Sequence, residues 1–297
     1  MFGRVITAMV TPFYPDGTIN YDEATRLALH LINNGTDSLV LCGTTGESPT
    51  LTHDEELTLF KVITKAVNGK AKIIAGTGSN CTKTAIEMTK KATDIGVDAT
   101  LQVTPYYNKP SQAGIIRHIE AIATATSLPI MLYNIPSRTG TNIEPSTIAT
   151  LADIDHVVAL KEAGGSINQF NAISAIAPKK LSLYSGDDAL TVDFLKSGAI
   201  GVVSVASHLV GSAINTMIHS FFNGDIEQTT KIKTDLMPLF NVLFITSNPT
   251  PIKYALALQG FNVGETRLPL IPPTELEMTQ IQTILNTSTL QKYLINN

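Results

Sequence analysis

Eight short apolar runs, rich in β-branched residues, recur along the chain, and each precedes a turn and a longer stretch at helical spacing. This alternation predicts repeated βα units. Eight parallel strands close a barrel, and the spacing between the runs leaves room for one helix in each connection. The sequence therefore predicts an α/β fold, a (β/α)8 TIM barrel, over an open doubly wound sheet. The predicted strands occupy residues 5–10, 37–41, 72–75, 99–103, 129–132, 156–160, 181–184 and 199–203.

The region after the eighth run has helical character but no further βα unit. We predict a barrel with the active site over residues 1–224 and a C-terminal helical region over residues 225–297. Prolines interrupt this region at 248–251 and again at 269–273. Earlier in the chain, Thr52 and Glu55 have the spacing of a capping box and predict a helix from Glu56 to Val67.

Composition argues for a small ligand. Charged residues make up 15% of the 297 residues and the net charge is −4, which gives no electrostatic reason to expect nucleic acid or an anionic membrane as partner. We find neither a secretory signal nor an uncharged apolar stretch near the ~20 residues of a spanning helix. A cytoplasmic location is expected, with Cys42 and Cys81 as reduced, buried thiols.

Lys161 is the first candidate for chemistry, because it follows the apolar run 157–160 at the end of the sixth predicted strand. Burial disfavours the charged form of an amine, and a neutral amine attacks carbonyl carbons to form a Schiff base. In the alternative, the strand ends one residue earlier and Lys161 is solvated and paired with Glu162. Strand position alone does not decide between these two interpretations.

Other strand ends carry groups that Schiff-base chemistry can use. Tyr133 follows the fifth run, and Thr44 could link its hydroxyl to a second tyrosine such as Tyr107, giving a path for protons. The turn 43–47 (GTTGE), which contains Thr45, could offer backbone N–H groups and hydroxyls to a carboxylate. Arg138 supplies a fork for a second carboxylate.

Each of these residues also has an ordinary structural interpretation. Taken singly, the tyrosines are core or rim aromatics, the turn 43–47 merely precedes a capped helix, and Arg138 is a surface arginine.

Other chemistries lack their motifs. The six histidines never form HxH, HExxH or a Cys/His cluster, so we predict no metal. The glycines near 76–79 and 164–166 lack P-loop or dinucleotide spacing, and no GxSxG elbow is present. We predict no cofactor.

Five motifs occur together in order: GTTGE at 43–47, TPYYN at 104–108, YNIPSRTG at 133–140, LKEA at 160–163 and SGDD at 185–188. With these motifs the chain strongly resembles the dihydrodipicolinate synthases, also called 4-hydroxy-tetrahydrodipicolinate synthases, from Val5 to Lys253. The resemblance implies a lyase that condenses pyruvate with L-aspartate 4-semialdehyde, on the route to diaminopimelate and lysine, without metal or organic cofactor.

The resemblance also implies roles for individual residues. Lys161 would form the Schiff base, and Tyr133 would exchange protons through Thr44 with Tyr107 of a neighbouring subunit. The chain would therefore be at least a dimer, and the family suggests a tetramer. The substrate-binding residues would be Thr45 for the pyruvate carboxylate, Arg138 for the carboxylate of the semialdehyde, and Gly186 and Val203 in the pyruvate pocket.

Within the same superfamily, N-acetylneuraminate lyase and the 2-keto-3-deoxy sugar-acid aldolases share the turn, the tyrosine and the lysine. Arg138 and the pair Tyr106-Tyr107 favour the synthase. A remote alternative is a non-catalytic barrel that binds a 2-oxo acid or lysine.

Lysine-inhibited relatives suggest an allosteric site at Ser48, His53, Asn80 and Tyr106. This chain has Glu56 and Thr84 where His and Glu are common, so the carboxylate that would bind the amine is missing or displaced. We predict weak or absent inhibition by L-lysine. The alternative is that these residues are merely interface surface.

Overall fold

The computed structural model describes residues 2–294. Its strands form a closed barrel in the order β1-β2-β3-β4-β5-β6-β7-β8, which confirms the predicted fold. The strands are β1 Val5–Ala8, β2 Ser38–Leu41, β3 Lys72–Gly76, β4 Ala99–Val103, β5 Ile130–Asn134, β6 Val157–Glu162, β7 Ser182–Ser185 and β8 Gly201–Ser204.

Helices separate the strands and continue after β8. They are α1 Tyr21–Asn33, α2 His53–Val67, α3 Thr82–Ile95, α4 Gln112–Ala123, α5 Pro136–Thr139, α6 Pro145–Leu151, α7 Ile167–Ile176, α8 Thr191–Lys196, α9 Ser207–Phe222, α10 Ile226–Val242, α11 Thr250–Leu258, α12 Glu275–Leu285 and α13 Ser288–Gln291.

The strands are short and buried along nearly their whole length. Every residue of β1 and of β5 is buried. Strands of a parallel sheet that is covered on both faces read as continuous apolar runs, since neither face meets water. This is why runs of β-branched residues located the strands in the sequence.

The strand ends differ from the prediction by one or two residues. Strand β1 ends at Ala8 instead of residue 10, and β8 runs from Gly201 to Ser204 instead of 199–203. Three other strands extend past their apolar residues into polar ones, because those polar side chains have partners. Asn134 accepts a hydrogen bond from Ile143 N at 3.0 Å, and Ser185 donates to the carbonyl oxygen of Asp187 at 2.7 Å.

The predicted capping box is present at the start of α2. The Thr52 hydroxyl accepts from Glu55 N at 3.2 Å, and the Glu55 carboxylate accepts from Thr52 N at 2.8 Å. The helix begins at His53, three residues before the predicted start, because the cap residue itself sets the first turn. The segment between β2 and Thr52 is a loop, as predicted, apart from a short 3₁₀ turn at Ser48–Thr50.

The C-terminal region is helical, and both predicted interruptions are present, between α10 and α11 and between α11 and α12. Pro251 lies in the first turn of α11, where its missing N–H costs no helical hydrogen bond. The boundary at 224/225 between the barrel and the C-terminal helical region stays a proposal. The last residues of the helical region, 295–297, lie outside the described part of the chain. The described residues form two compact units: one contains the chain up to Ala71 together with the chain from Ser204 onward, and the other is Lys72–Val203.

Neither cysteine forms a disulfide, but only one of them fits the predicted burial. Cys42 is buried, whereas Cys81 is exposed, because it is the residue that precedes the first turn of α3. Within residues 2–294, no helix is both long enough and apolar enough to cross a membrane.

Candidate active site

Lys161 lies within β6 and is 6% exposed. In the parallel ladder its neighbours are Tyr133 of β5 and Tyr184 of β7. Neighbours in register present their side chains on the same face of a sheet. The lysine is therefore bracketed by two aromatic residues.

Glu162 points to the opposite face of the sheet and has its own partners. The carboxyl group is 1% exposed and accepts from Asn134 Nδ2 at 2.9 Å and from Gly164 N at 2.6 Å. Burial raises the pKa of Glu162, and the hydrogen bonds from Asn134 oppose that rise. The alternative in which Lys161 is solvated and paired with Glu162 is wrong, because β6 contains both residues and both are buried.

Tyr133 and Gly186 lie against the Lys161 side chain. The amine Nζ is 4.1 Å from the centroid of the Tyr133 ring. Gly186 N donates to the carbonyl oxygen of Glu162 at 2.7 Å, and a Cβ at Gly186 would lie 3.1 Å from Lys161 Cγ and 2.6 Å from Ala163 Cβ. Any larger residue at 186 would therefore clash with Ala163 and crowd the lysine side chain. Val203 is 1% exposed in β8.

The turn after β2 has a constrained backbone. Cys42 and Glu47 have positive φ angles of 51° and 58°, which are uncommon for residues other than glycine. A Cβ at Gly46 would lie 2.9 Å from Cys42 N, and Gly46 O accepts from the Thr11 hydroxyl at 2.6 Å. Thr45 is 3% exposed and Thr44 is half-buried. The backbone that carries Thr44 and Thr45 is therefore conformationally constrained.

Two residues of the C-terminal region, neither of them predicted to belong to the site, hold this turn. Asn248 Nδ2 donates to the Thr45 hydroxyl at 2.9 Å. Lys253 Nζ lies 2.7 Å from Glu47 Oε1, and both side chains are almost fully buried. A lone lysine within the apolar helix α11 was the signal that could have revealed a buried partner.

Two predicted site residues are exposed. Tyr107 is 89% exposed and has a φ angle of 73°, so its side chain projects from a strained loop position. Arg138 is exposed on the four-residue helix α5, which ends at Gly140 in the left-handed conformation.

The residues of the predicted lysine site show two local contacts. The Ser48 hydroxyl donates to Glu56 Oε1 at 2.8 Å, and burial raises the pKa of Glu56 to about 7. Asn80 Nδ2 donates to Tyr106 O at 3.2 Å. His53 is exposed, and Thr84 is half-buried in α3.

The side chains that commonly bind metal ions do not form clusters in residues 2–294. No group of three or more His, Cys, Asp or Glu side chains in the described part of the chain is placed to hold a metal ion. The predicted site residues offer an amine, phenols, hydroxyls and a guanidinium group.

A buried lysine in the sixth strand of a closed (β/α)8 barrel, beside a tyrosine and a glycine, is an arrangement compatible with Schiff-base chemistry. Comparison with known proteins identifies the family. The model of the Dihydrodipicolinate synthetase family matches residues 1–288. The chain belongs to this family of lyases.

Individual relatives are similar over nearly their whole length. A 4-hydroxy-tetrahydrodipicolinate synthase from a Synechococcus strain is 56% identical over 93% of this chain and 91% of its own. The crystal structure of the Cyanidioschyzon merolae enzyme with lysine bound has a TM-score of 0.96 and 50% identity, covering 97% of this chain and 99% of that one. The chloride-inhibited Acinetobacter baumannii enzyme, complexed with pyruvate, has a TM-score of 0.93 and 38% identity, covering 96% and 98%.

Proposed function

We propose that this chain condenses pyruvate with L-aspartate 4-semialdehyde, with pyruvate held as a Schiff base on Lys161. The observation that carries the proposal is the buried amine of Lys161 beside the Tyr133 ring, with Gly186 packed against the lysine side chain. Relatives at 50–56% identity that are named 4-hydroxy-tetrahydrodipicolinate synthase support it.

The reaction uses the amine as a nucleophile. Lys161 attacks the carbonyl carbon of pyruvate, and loss of water from the carbinolamine gives the imine. Removal of a methyl proton then gives an enamine, whose carbon attacks the aldehyde of the second substrate. Each step needs a group that gives or takes a proton, and Tyr133 is the candidate nearest to Lys161 in the β5–β6 ladder.

The remaining roles follow the family resemblance. Thr44 would relay protons between Tyr133 and Tyr107, and Thr45 would bind the pyruvate carboxylate. Arg138 would bind the carboxylate of the semialdehyde, for which its exposed position on α5 leaves the guanidinium group available. Gly186 and Val203 would line the pyruvate pocket. Residence in the cytoplasm stays a prediction.

Substrate competition tests the proposed reaction. We expect purified protein to consume pyruvate only when L-aspartate 4-semialdehyde is present, and to leave N-acetylneuraminate and 2-keto-3-deoxy sugar acids unchanged. Arg138→Ala should raise the KM for the semialdehyde more than the KM for pyruvate. Cleavage of a sugar acid at a comparable rate would instead support the aldolase alternative.

We also propose that the active site is completed between subunits, in at least a dimer and in a tetramer as the family suggests. The 89% exposure of Tyr107 supports this, since a proton-relay tyrosine must be withdrawn from bulk water by some neighbour. Co-expression of Lys161→Ala with Tyr107→Phe tests it. Mixed oligomers should recover activity that neither variant has alone, and a strictly monomeric, active protein in light scattering would contradict it.

Inhibition by L-lysine is expected to be weak or absent. The carboxyl group of Glu56 is buried, accepts from Ser48 and has a pKa of about 7, so below that pH it is a poor partner for an ammonium group. A lysine titration of the wild type beside Glu56→His/Thr84→Glu measures the difference. Strong inhibition of the wild type at sub-millimolar lysine would contradict the expectation.

A further inference from the structure

We propose that Asn248 is a positioning residue for the 2-oxo acid: its amide leaves the Thr45 hydroxyl free to donate to the substrate carboxylate, and the Lys253–Glu47 pair holds the turn that carries Thr45. This inference rests on the proposed function, which assigns the pyruvate carboxylate to Thr45.

The direction of one hydrogen bond determines what the Thr45 hydroxyl can still donate to. A hydroxyl group has one proton to donate and lone pairs to accept with. Asn248 Nδ2 is a donor and lies 2.9 Å from Thr45 Oγ1, so the hydroxyl accepts in this contact. The two residues are 5% and 3% exposed, which removes competing water. The Thr45 proton is therefore directed to another acceptor, and a carboxylate is an acceptor only.

The turn itself is attached to the C-terminal region through Glu47. Glu47 ends the turn, and its carboxylate lies 2.7 Å from Lys253 Nζ on one oxygen and accepts from Arg267 N at 2.9 Å on the other. Lys253 also donates to Glu265 O at 3.0 Å. The Glu47 carboxylate is thereby held from two sides, as its left-handed backbone conformation requires.

The contacts with Thr45 and with Glu47 both come from one segment of the chain. Asn248 immediately precedes Pro249, the N-cap residue of α11, and Lys253 lies in the first turn of the same helix. Their partners, Thr45 and Glu47, are two residues apart in the turn. The segment therefore fixes the hydroxyl and the backbone of the carboxylate-binding turn together, although it contributes no group to the chemistry.

Two substitutions at 248 separate hydrogen-bond direction from packing. Asn248→Ala removes the donor, and Asn248→Asp keeps the size but replaces the donor by an acceptor that takes the Thr45 proton. We expect the KM for pyruvate to rise by about tenfold in Asn248→Ala, the scale of one hydrogen bond to a charged group, and further in Asn248→Asp. The kcat should change less than threefold, and the KM for the semialdehyde should stay unchanged. A packing role predicts the reverse order, with Asn248→Asp closer to the wild type.

A double-mutant cycle tests whether Asn248 acts through Thr45. In a Thr45→Val background, Asn248→Ala should add less than twofold to the KM for pyruvate, because the hydroxyl that it orients is gone. Asn215 donates to Gly35 O at 3.2 Å in a different part of the fold, so Asn215→Ala is the matched control and should leave the KM unchanged. Additive effects at 45 and 248, or an unchanged KM in Asn248→Asp, would overturn the proposal.

Two measurements keep the outcomes interpretable. Urea unfolding confirms that each variant is folded at the assay temperature, and the nearly isosteric Asn248→Asp decides the question if Asn248→Ala does not fold. Borohydride trapping of pyruvate on wild-type Lys161 tests the proposed function by itself. Intact trapping with an unaltered KM in Asn248→Asp refutes the positioning role alone, whereas absent trapping in the wild type refutes the proposed function.

Discussion

Lys161 and Lys253 are both buried lysines, but their surroundings differ. Lys253 is 2% exposed, lies 2.7 Å from the Glu47 carboxylate and sits 4.0 Å from the centroid of the Phe13 ring. Lys161 is 6% exposed and lies beside Tyr133, while the adjacent carboxyl group of Glu162 is turned to the other face of the sheet. Lys253 therefore contacts an anion, whereas Lys161 lies beside a phenol ring.

The difference teaches that burial alone does not define a nucleophile. Burial lowers the pKa of Lys253 to about 8, and the charge of Glu47 opposes that change. An ammonium group that contacts a carboxylate and a carbonyl oxygen has its protons committed to those acceptors. The Lys161 amine instead lies beside the Tyr133 ring, and Gly186, which has no side chain, packs against the Lys161 stem. We therefore propose that Lys161 performs the covalent step and that Lys253 has a structural role.

The largest expected effect is on turnover. Lys161→Ala should reduce kcat by about 10³-fold or more, because deletion of a covalent nucleophile removes the reaction path. Lys253→Met should keep kcat within roughly tenfold, since it removes no reacting group. Steady-state rates of both variants at saturating substrates make the comparison. A Lys161→Ala enzyme with wild-type turnover would contradict the role of Lys161 as the nucleophile.

The next effect is on stability and concerns the other lysine. Lys253→Met leaves the Glu47 carboxylate buried without its partner, so the free energy of unfolding should fall by about 3–5 kcal/mol. Adding Glu47→Gln should restore part of that loss, because the uncompensated charge is removed. Urea denaturation of the single and double variants measures both values. A cost below about 1 kcal/mol for Lys253→Met would show that the pair is dispensable.

A smaller effect, on the pH dependence of stability, concerns His208, a buried base whose partners are neutral backbone groups. His208 accepts from Val10 N at 3.1 Å, contacts Val205 O, and burial lowers its pKa to about 4. Between pH 6.5 and 4 the unfolded chain binds a proton that the folded chain does not. Stability should therefore fall by up to about 3 kcal/mol as the pH falls through this range.

Replacing the imidazole checks this assignment. Urea unfolding at several pH values should show a flatter acid profile for His208→Gln than for the wild type. The exposed His219, in the last turn of α9, provides the matched variant His219→Gln, which should keep the wild-type profile. Equal profiles for all three proteins would contradict the link to His208.

The barrel could be predicted because the buried strands are mostly apolar runs, and Lys161 could be found because it directly follows one of them. The polar strand ends at Asn134, Glu162 and Ser185 could not, since local sequence does not reveal the partners that allow them to be buried. Cys81 was misjudged because its exposure depends on its place before α3. Asn248 and Lys253 were missed because their contacts with the turn 43–47 join residues about 200 positions apart.

Borohydride reduction in the presence of pyruvate, followed by intact mass and peptide mapping, tests the central claim most directly. We predict one pyruvate-derived adduct per chain, located on Lys161 and absent from Lys161→Ala. At saturating pyruvate, Lys253→Met should be labelled to the same extent as the wild type. An adduct on Lys253, or on any lysine other than Lys161, would contradict the account.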